Sequence, residues 1–321
     1  MSNAAITPRQ AAVTQVMSAT LTSLAHSGRL HPMARSWSEG VERFGDIPYK
    51  DGFRRQHRLD VYRPTRTDGP LPVILYVHGG GFGLLSKDTH WMFGRGFARQ
   101  GYVVVSIDYT LSGQAPFPAA VQDTFEAFRW VHDNVARYGG DPSRVAIAGE
   151  SAGANLALAL TVAQCWERPE PWAREVFDLA GEHGVAKAVL PACGMLQVSA
   201  PERYLSNEAI PAWMRDRIAV VCRRYLPDPA AVPSLDLADP ICFLETAEPP
   251  QRPLPAIFAP CGTNDPVKDD TRRLDEALRR FDGTSEMKWY PGGIHAFHAF
   301  IWRPLARECW SDQLRFLRAH L

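Results

Sequence analysis

Paired cysteines are missing from this 321-residue sequence. The six present, Cys165, Cys193, Cys222, Cys242, Cys261 and Cys309, have no C-x-x-C spacing and no neighbouring histidine cluster, which argues against a zinc site or a disulfide framework. Buried, reduced thiols are expected, and no metal or cofactor. An excess of either charge is missing too: Lys and Arg number 35 against 35 Asp and Glu, and the pI is near 7.1, so a nucleic-acid partner has no electrostatic support. Nowhere do the roughly 18 uncharged apolar residues needed to cross a membrane run together. Residues 1–30 also lack a charged start followed by an apolar stretch, so a soluble, cytoplasmic protein with no membrane partner is expected. Internal repeats and low-complexity tracts are absent as well.

What is there is apolar and regularly punctuated. With 45% hydrophobic residues, the chain is long enough for one large α/β domain plus an appendage. Residues 11–30 place Val13, Val16, Met17, Leu21 and Leu24 at helical intervals, with Thr7 ahead of Pro8 as a cap. Residues 53–62 and 72–77 read as strands; the second, Val73-Ile-Leu-Tyr-Val77, is apolar throughout, as a strand covered on both faces should be. Helices are expected at 91–99, 117–138, 152–164, 268–281 and 304–320, and further strands at 102–108, 144–148, 185–190, 255–260 and 286–290. Residues 167–184 read as a polar, Pro-broken surface excursion. Strands alternating with helices at this spacing predict right-handed crossovers and a mostly parallel sheet flanked by helices. The alternation fails between Pro191 and Pro255, where one or two helices precede a Pro-rich stretch; an insertion of that size usually forms a lid or binding segment.

The chemistry-bearing motifs sit where strands end. Val145-Ala-Ile-Ala-Gly-Glu-Ser-Ala-Gly-Ala-Asn-Leu156 reads as strand, sharp turn and helix, the context in which G-x-S-x-G exposes a nucleophilic serine, here Ser151. Its glycines remove side chains that would crowd the turn. Asp265 follows the 255–260 strand and His295 the 286–290 strand, and ligands bind beyond the carboxyl ends of strands in such sheets. A serine hydroxyl needs an imidazole to take its proton, and the imidazole needs a carboxylate to fix its tautomer. Ser151, His295 and Asp265 fit those roles. Asp269 and Asp270 compete with Asp265 but fall in the first turn of the next helix, where acids complement the dipole. His298 competes with His295, which is better placed by Gly292-Gly293. His78 is expected to brace its own loop.

His78-Gly-Gly-Gly-Phe82 supplies bare backbone after a central strand, suited to stabilising charge on a carbonyl oxygen. Gly80, Gly81 and Ala152 are the expected N–H donors. No G-K-[ST] follows, so a phosphate loop is not favoured.

Taken together, His78-Gly-Gly-Gly-Phe82, Asp108-Tyr109, Phe117-Pro118-Ala119-Ala120, Gly149-Glu-Ser-Ala-Gly153, Asp265-Pro266 and His295-Ala-Phe297 resemble the hormone-sensitive-lipase-like family of α/β-hydrolases, which includes many bacterial carboxylesterases. The resemblance implies an α/β-hydrolase core over 46–190 and 254–321, with a helical cap from 1–45 and 191–253. It implies ester hydrolysis through an acyl-enzyme on Ser151, with a small-molecule ester as partner; a homodimer is left open. Tyr109-Thr-Leu-Ser-Gly-Gln114 departs from the family's usual Tyr-Arg-Leu-Ala-Pro-Glu, so the Arg and Glu that often support the oxyanion loop are absent. Glu150 fills a slot where the family varies and is expected to be a solvated or loop-bracing carboxylate. Phe82, Trp91, Tyr204 and Trp213, with Trp37 and Tyr225, are the aromatic residues expected near the pocket, favouring short to medium acyl esters. An amidase or arylformamidase could use the same triad, and a non-catalytic receptor could use the same scaffold.

Overall fold

In the computed structural model, which describes residues 7–29, 36–52 and 54–321, an eight-stranded sheet runs in the order β1-β2-β4-β3-β5-β6-β7-β8. The strands are β1 (Val41–Pro48), β2 (Arg58–Pro64), β3 (Leu71–Val77), β4 (Val103–Ile107), β5 (Gly140–Glu150), β6 (Ala188–Ala192), β7 (Ala256–Gly262) and β8 (Ser285–Tyr290). β1 and β2 pair antiparallel, as do β2 and β4, while all pairings from β4 to β8 are parallel. The helices are α1 (Pro8–Gly28), α2 (Trp91–Ala98), α3 (Ala119–Asn134), α4 (Ala152–Cys165), α5 (Pro171–His183), α6 (Glu202–Leu205), α7 (Ala212–Tyr225), α8 (Pro240–Thr246), α9 (Lys268–Leu278) and α10 (Pro304–His320). None of them is long and apolar enough to cross a membrane.

Two apolar layers follow from the pleat, because alternate residues of a strand face opposite sides. Ile74, Tyr76, Val104, Ala146 and Phe258 pack against Phe93 and Phe97 of α2 and Trp310, Leu314 and Leu317 of α10. Val73, Leu75, Val77, Val105 and Ile147 face the other way, onto α3, α4 and α5. α4 lies in that layer with every residue buried. Of the cysteines, Cys242 is half-buried, the other five are buried, and none is in a disulfide.

Several sequence expectations are corrected. Residues 41–45, expected in the cap, belong to edge strand β1, which pairs with β2 and carries an irregularity between Phe44 and Ile47, where Asp46 has φ 57°. That break conceals the strand's alternation. Of the strand expected over 53–62, residues 55–57 form a 3-10 turn and β2 begins at Arg58; Phe53 lies outside the described residues. Residues 171–183, read as a surface excursion, form amphipathic α5, with Pro171 in its first turn and Ala173, Val176 and Ala180 buried. α1 has the expected cap, Thr7 Oγ1 accepting from the Gln10 N–H at 3.2 Å while the Gln10 side chain returns to the Thr7 N–H at 3.0 Å. Its apolar stripe is not covered, however: Val16 is 67% and Leu24 63% exposed, and the buried residue is Thr14. Polar contacts to α7 hold α1 instead, Gln10 with Asp216 and Thr14 with Arg217. Leu30, the expected end of this helix, lies outside the described residues.

Candidate active site

The carboxyl ends of β3, β5, β7 and β8 bring four loops together. At the end of β5, Ser151 has φ 53° and ψ −114°, a conformation rare for a side-chain-bearing residue. A Cβ on Gly149 would lie 2.4 Å from Gly153 O, and one on Gly153 would lie 2.1 Å from Val77 O. Glycine at both positions lets α4 start directly over its own strand and over β3. The Ser151 N–H donates to Ala192 O at 2.9 Å, and Met195 N–H donates to Ser151 O at 3.2 Å, fixing the turn against β6.

The loops after β7 and β8 interlock in the same way. A Cβ on Gly262 would come within 2.1 Å of Gly293 O, and Gly292, with φ 71°, donates its N–H to Thr263 Oγ1 at 2.9 Å. This contact aims His295 at both partners. His295 Nε2 lies 2.9 Å from Ser151 Oγ, and its Nδ1 lies 3.0 and 2.9 Å from the two Asp265 oxygens. Asp265 is 2% exposed and also accepts from the Val267 N–H at 2.9 Å. Burial would lower the His295 pKa, but the charge and hydrogen bond of Asp265, helped by the charge of Glu150, more than offset it, so the imidazole is raised above its ordinary value. The ring can therefore accept a proton from Ser151 and hold it as a cation beside a carboxylate.

The rivals stand elsewhere. Asp269 is exposed, whereas Asp270 is fully buried and does more than complement a helix dipole. It accepts from Leu196 N–H at 2.7 Å, pairs with Arg203 and meets Tyr204 Oη at 3.2 Å, anchoring the segment after β6. The His298 Nε2 sits 3.3 Å from Glu150 Oε2 rather than at Ser151. His78 braces its loop as expected: its Nδ1 lies 2.7 Å from Gly79 O, it stacks on Tyr109 at 4.3 Å, and burial, with His90, pulls its pKa down to about 3. Tyr109 Oη donates to His78 O at 3.0 Å, so the tyrosine supports this loop where the family's Arg and Glu are absent.

On that loop Gly80 has φ +112° and Gly81 φ +58°; a Cβ on Gly80 would meet Leu84 O at 2.3 Å and one on Gly81 would meet Val221 at 2.7 Å. Neither N–H is used in a hydrogen bond among the described residues. Ala152 N–H opens α4, where the first amides have no intrahelical acceptor. The expected aromatic wall is not seen. Phe82, Trp91 and Tyr204 are core side chains at 0%, 3% and 3% exposure, while Trp213 is 66% exposed. Phe82 stacks on Tyr225 at 3.6 Å, Trp91 Nε1 donates to Ala25 O, and Trp37 packs on Trp310. A cavity of about 290 Å³ instead adjoins His78 and Leu85, with Ser18, Thr22, Arg55 and Asp108 around it. Burial pushes the Asp108 carboxyl up to about 6.

Sequence reasoning missed His90 and Cys193. His90 Nε2 meets Glu150 Oε1 at 2.8 Å, a pairing across 60 residues that no spacing announces. Cys193 Sγ lies with Asp265 and His295 donors within 4.8 Å of one another, a grouping invisible in the scattered cysteines. As a metal-donor set it fits poorly, since burial holds the thiol well above its ordinary pKa and His295 Nδ1 is already bonded to Asp265.

A strand-turn-helix elbow facing an imidazole-carboxylate pair across a mostly parallel sheet defines a hydrolase of the α/β type. Residues 74–299 match the family model described as alpha/beta hydrolase fold, and the chain belongs to that family. Carboxylesterase NlhH of Mycobacterium tuberculosis is 31% identical over 287 residues, covering 88% of this chain and 81% of that one. Acetyl esterase of Salmonella schwarzengrund is 31% identical over 269 residues, covering 80% and 76%. Among solved structures, the hyperthermophilic esterase of Pyrobaculum calidifontis superposes with TM-score 0.74 at 25% identity, covering 95% and 91%. These relatives carry the resemblance to hormone-sensitive-lipase-like carboxylesterases read from the motifs.

Proposed function

We propose that the chain is a serine carboxylesterase, with Ser151 as nucleophile, His295 as general base and then acid, and Asp265 as the carboxylate that fixes His295. The observation that carries this reading is the 2.9 Å contact of Ser151 Oγ with His295 Nε2, continued at Nδ1 by Asp265. His295 takes the hydroxyl proton as Ser151 Oγ attacks the ester carbonyl. The oxygen becomes an anion facing the N–H groups of Gly80, Gly81 and Ala152, each donor contributing roughly 3–4 kcal/mol at such a site. The imidazolium protonates the leaving alcohol as the C–O bond breaks, leaving an acyl group on Ser151. Water, deprotonated by His295, attacks the acyl carbon and releases the acid.

The cap consists of residues 7–29 and 36–40 together with those from 193 to 253. Val221 and Tyr225 of α7, against Gly81 and Phe82, support its place over the oxyanion loop. The acetyl esterase relative favours short to medium acyl esters. Turnover of a p-nitrophenyl acyl series by wild-type protein and by Ser151→Ala tests the reading: wild-type turnover falling with chain length and lost in the variant is expected. N-formylkynurenine, run alongside, reads an arylformamidase instead, and a receptor would turn over neither.

A further inference from the structure

Glu150 is a carboxylate 5% exposed at the residue before Ser151, and no Lys or Arg among the described residues pairs with it. Its two oxygens are divided between two buried histidines: Oε1 is hydrogen-bonded to His90 Nε2 at 2.8 Å, while Oε2 lies at an ion-pair distance of 3.3 Å from His298 Nε2 without hydrogen-bond geometry. Each histidine belongs to a different part of the site. His298 lies three residues past His295, and its carbonyl is held by Trp310 Nε1 at 3.0 Å. His90 directly precedes α2 at the end of the segment that continues the oxyanion loop, with its Nδ1 3.1 Å from Ser86 O. The oxyanion loop itself rests on the same residue: a Cβ on Gly79 would lie 2.9 Å from both the carbonyl oxygen and Oε1 of Glu150. One side chain on the elbow thus touches the two loops whose placement about Ser151 the proposed reaction needs. A solvated carboxylate, one of the roles expected from the sequence, is excluded by this burial.

Its charge also reaches the base. The two histidines hold the carboxyl well below its usual range against the opposing effect of burial. The other titratable groups that feel it are His78, Tyr76, Tyr109, Cys193 and His295, and on His295 it acts in the same direction as Asp265.

We infer that Glu150 is a positioning residue of this site, clamping the His295 loop and the oxyanion loop about Ser151 through His298, His90 and Gly79. The inference rests on the proposed triad. Glu150→Gln keeps the shape and removes the charge. With a short p-nitrophenyl ester, it is expected to lower kcat about tenfold or more with KM within about twofold, and to move the acid limb of kcat/KM to lower pH. Glu150→Asp retains the charge on a shorter stem and is expected to return the acid limb to its wild-type position while kcat stays reduced. A folded Glu150→Gln protein with wild-type kcat overturns the inference, and so does a lowered kcat with an unmoved acid limb, the outcome of a purely structural role. Should Glu150→Gln fail to fold, His298→Phe, which leaves the carboxylate in place, is expected to lower kcat about threefold or more at unchanged KM, and an unchanged kcat overturns the inference. Phosphonate labelling of wild-type Ser151 separately checks the triad, so its failure is distinguishable from a failure of Glu150.

Discussion

The strand-end loops and the proposed cap are assembled by different means. In the loops, backbone lies directly on backbone: Gly149 against Gly153, Gly153 against Val77, Gly262 against Gly293, each so close that one Cβ would be refused. In the proposed cap, side chains do the joining: Leu196, Val221, Tyr225 and Leu237 lie in the main apolar cluster, and charge adds to them, with Asp270 gathering Leu196 N–H and Arg203, Arg273 forking onto Glu245 at 2.7 Å, and Gln10 reaching Asp216 at 2.8 Å. Backbone contact permits little adjustment and fixes reacting atoms closely. Side-chain contacts on short helices hold a segment in place while permitting more local adjustment than backbone laid on backbone. The difference is what the proposed reading asks for, a rigid reaction centre beneath a proposed cover.

Mutations in the two regions should therefore act on different quantities. Ser151→Ala is expected to lower kcat roughly 10⁵- to 10⁶-fold with the fold intact, measured as ester turnover alongside a circular-dichroism melt. Asp265→Asn should cost about 10⁴-fold by presenting the wrong His295 tautomer. Gly81→Ala forces a Cβ against Val221 at a left-handed φ and is expected to cost on the order of 10²-fold in kcat. Activity surviving any of these substitutions at near wild-type level would erase the contrast between the regions. In the cap, Asp270→Asn should raise KM more than it lowers kcat and lower Tm, because Arg203 loses a partner that is itself fully buried. Trp213→Ala, at a side chain 66% exposed, should leave stability within about 0.5 kcal/mol, and a large rise in KM would show that α7 turns inward when substrate binds. The pH profile sharpens the picture further. Because Asp265 raises the His295 pKa and the base must be neutral to act, the acid limb of kcat/KM should lie above the ordinary imidazole value of about 6.5, with activity lost as pH falls through it.

The same contrast explains what the sequence could disclose. Ser151, Asp265 and His295 were legible because glycines and strand ends mark them locally, and the structure brings these three side chains together. The alternation of β3, β4 and β5 with α2 and α3 was legible because burial on two faces imposes apolar runs. β1 was not, since an irregular edge strand carries only half of that pattern. The aromatic wall was misplaced because a large apolar ring is equally at home in a core, as Phe82 and Tyr204 are, or on an exposed helix, as Trp213 is. Asp270 and the Glu150 clamp were hidden for another reason: their partners lie tens of residues away, joined by side chains whose meeting leaves no periodic trace.

The central claim is that the hydroxyl of residue 151 becomes covalently acylated with the help of residues 265 and 295. Mass spectrometry of protein treated with a p-nitrophenyl alkylphosphonate reads this most directly. A single adduct on the peptide carrying Ser151, formed at a rate that falls sharply in Asp265→Asn and absent in Ser151→Ala, is the predicted result; an adduct on another residue, or undiminished ester turnover by Ser151→Ala, would contradict it.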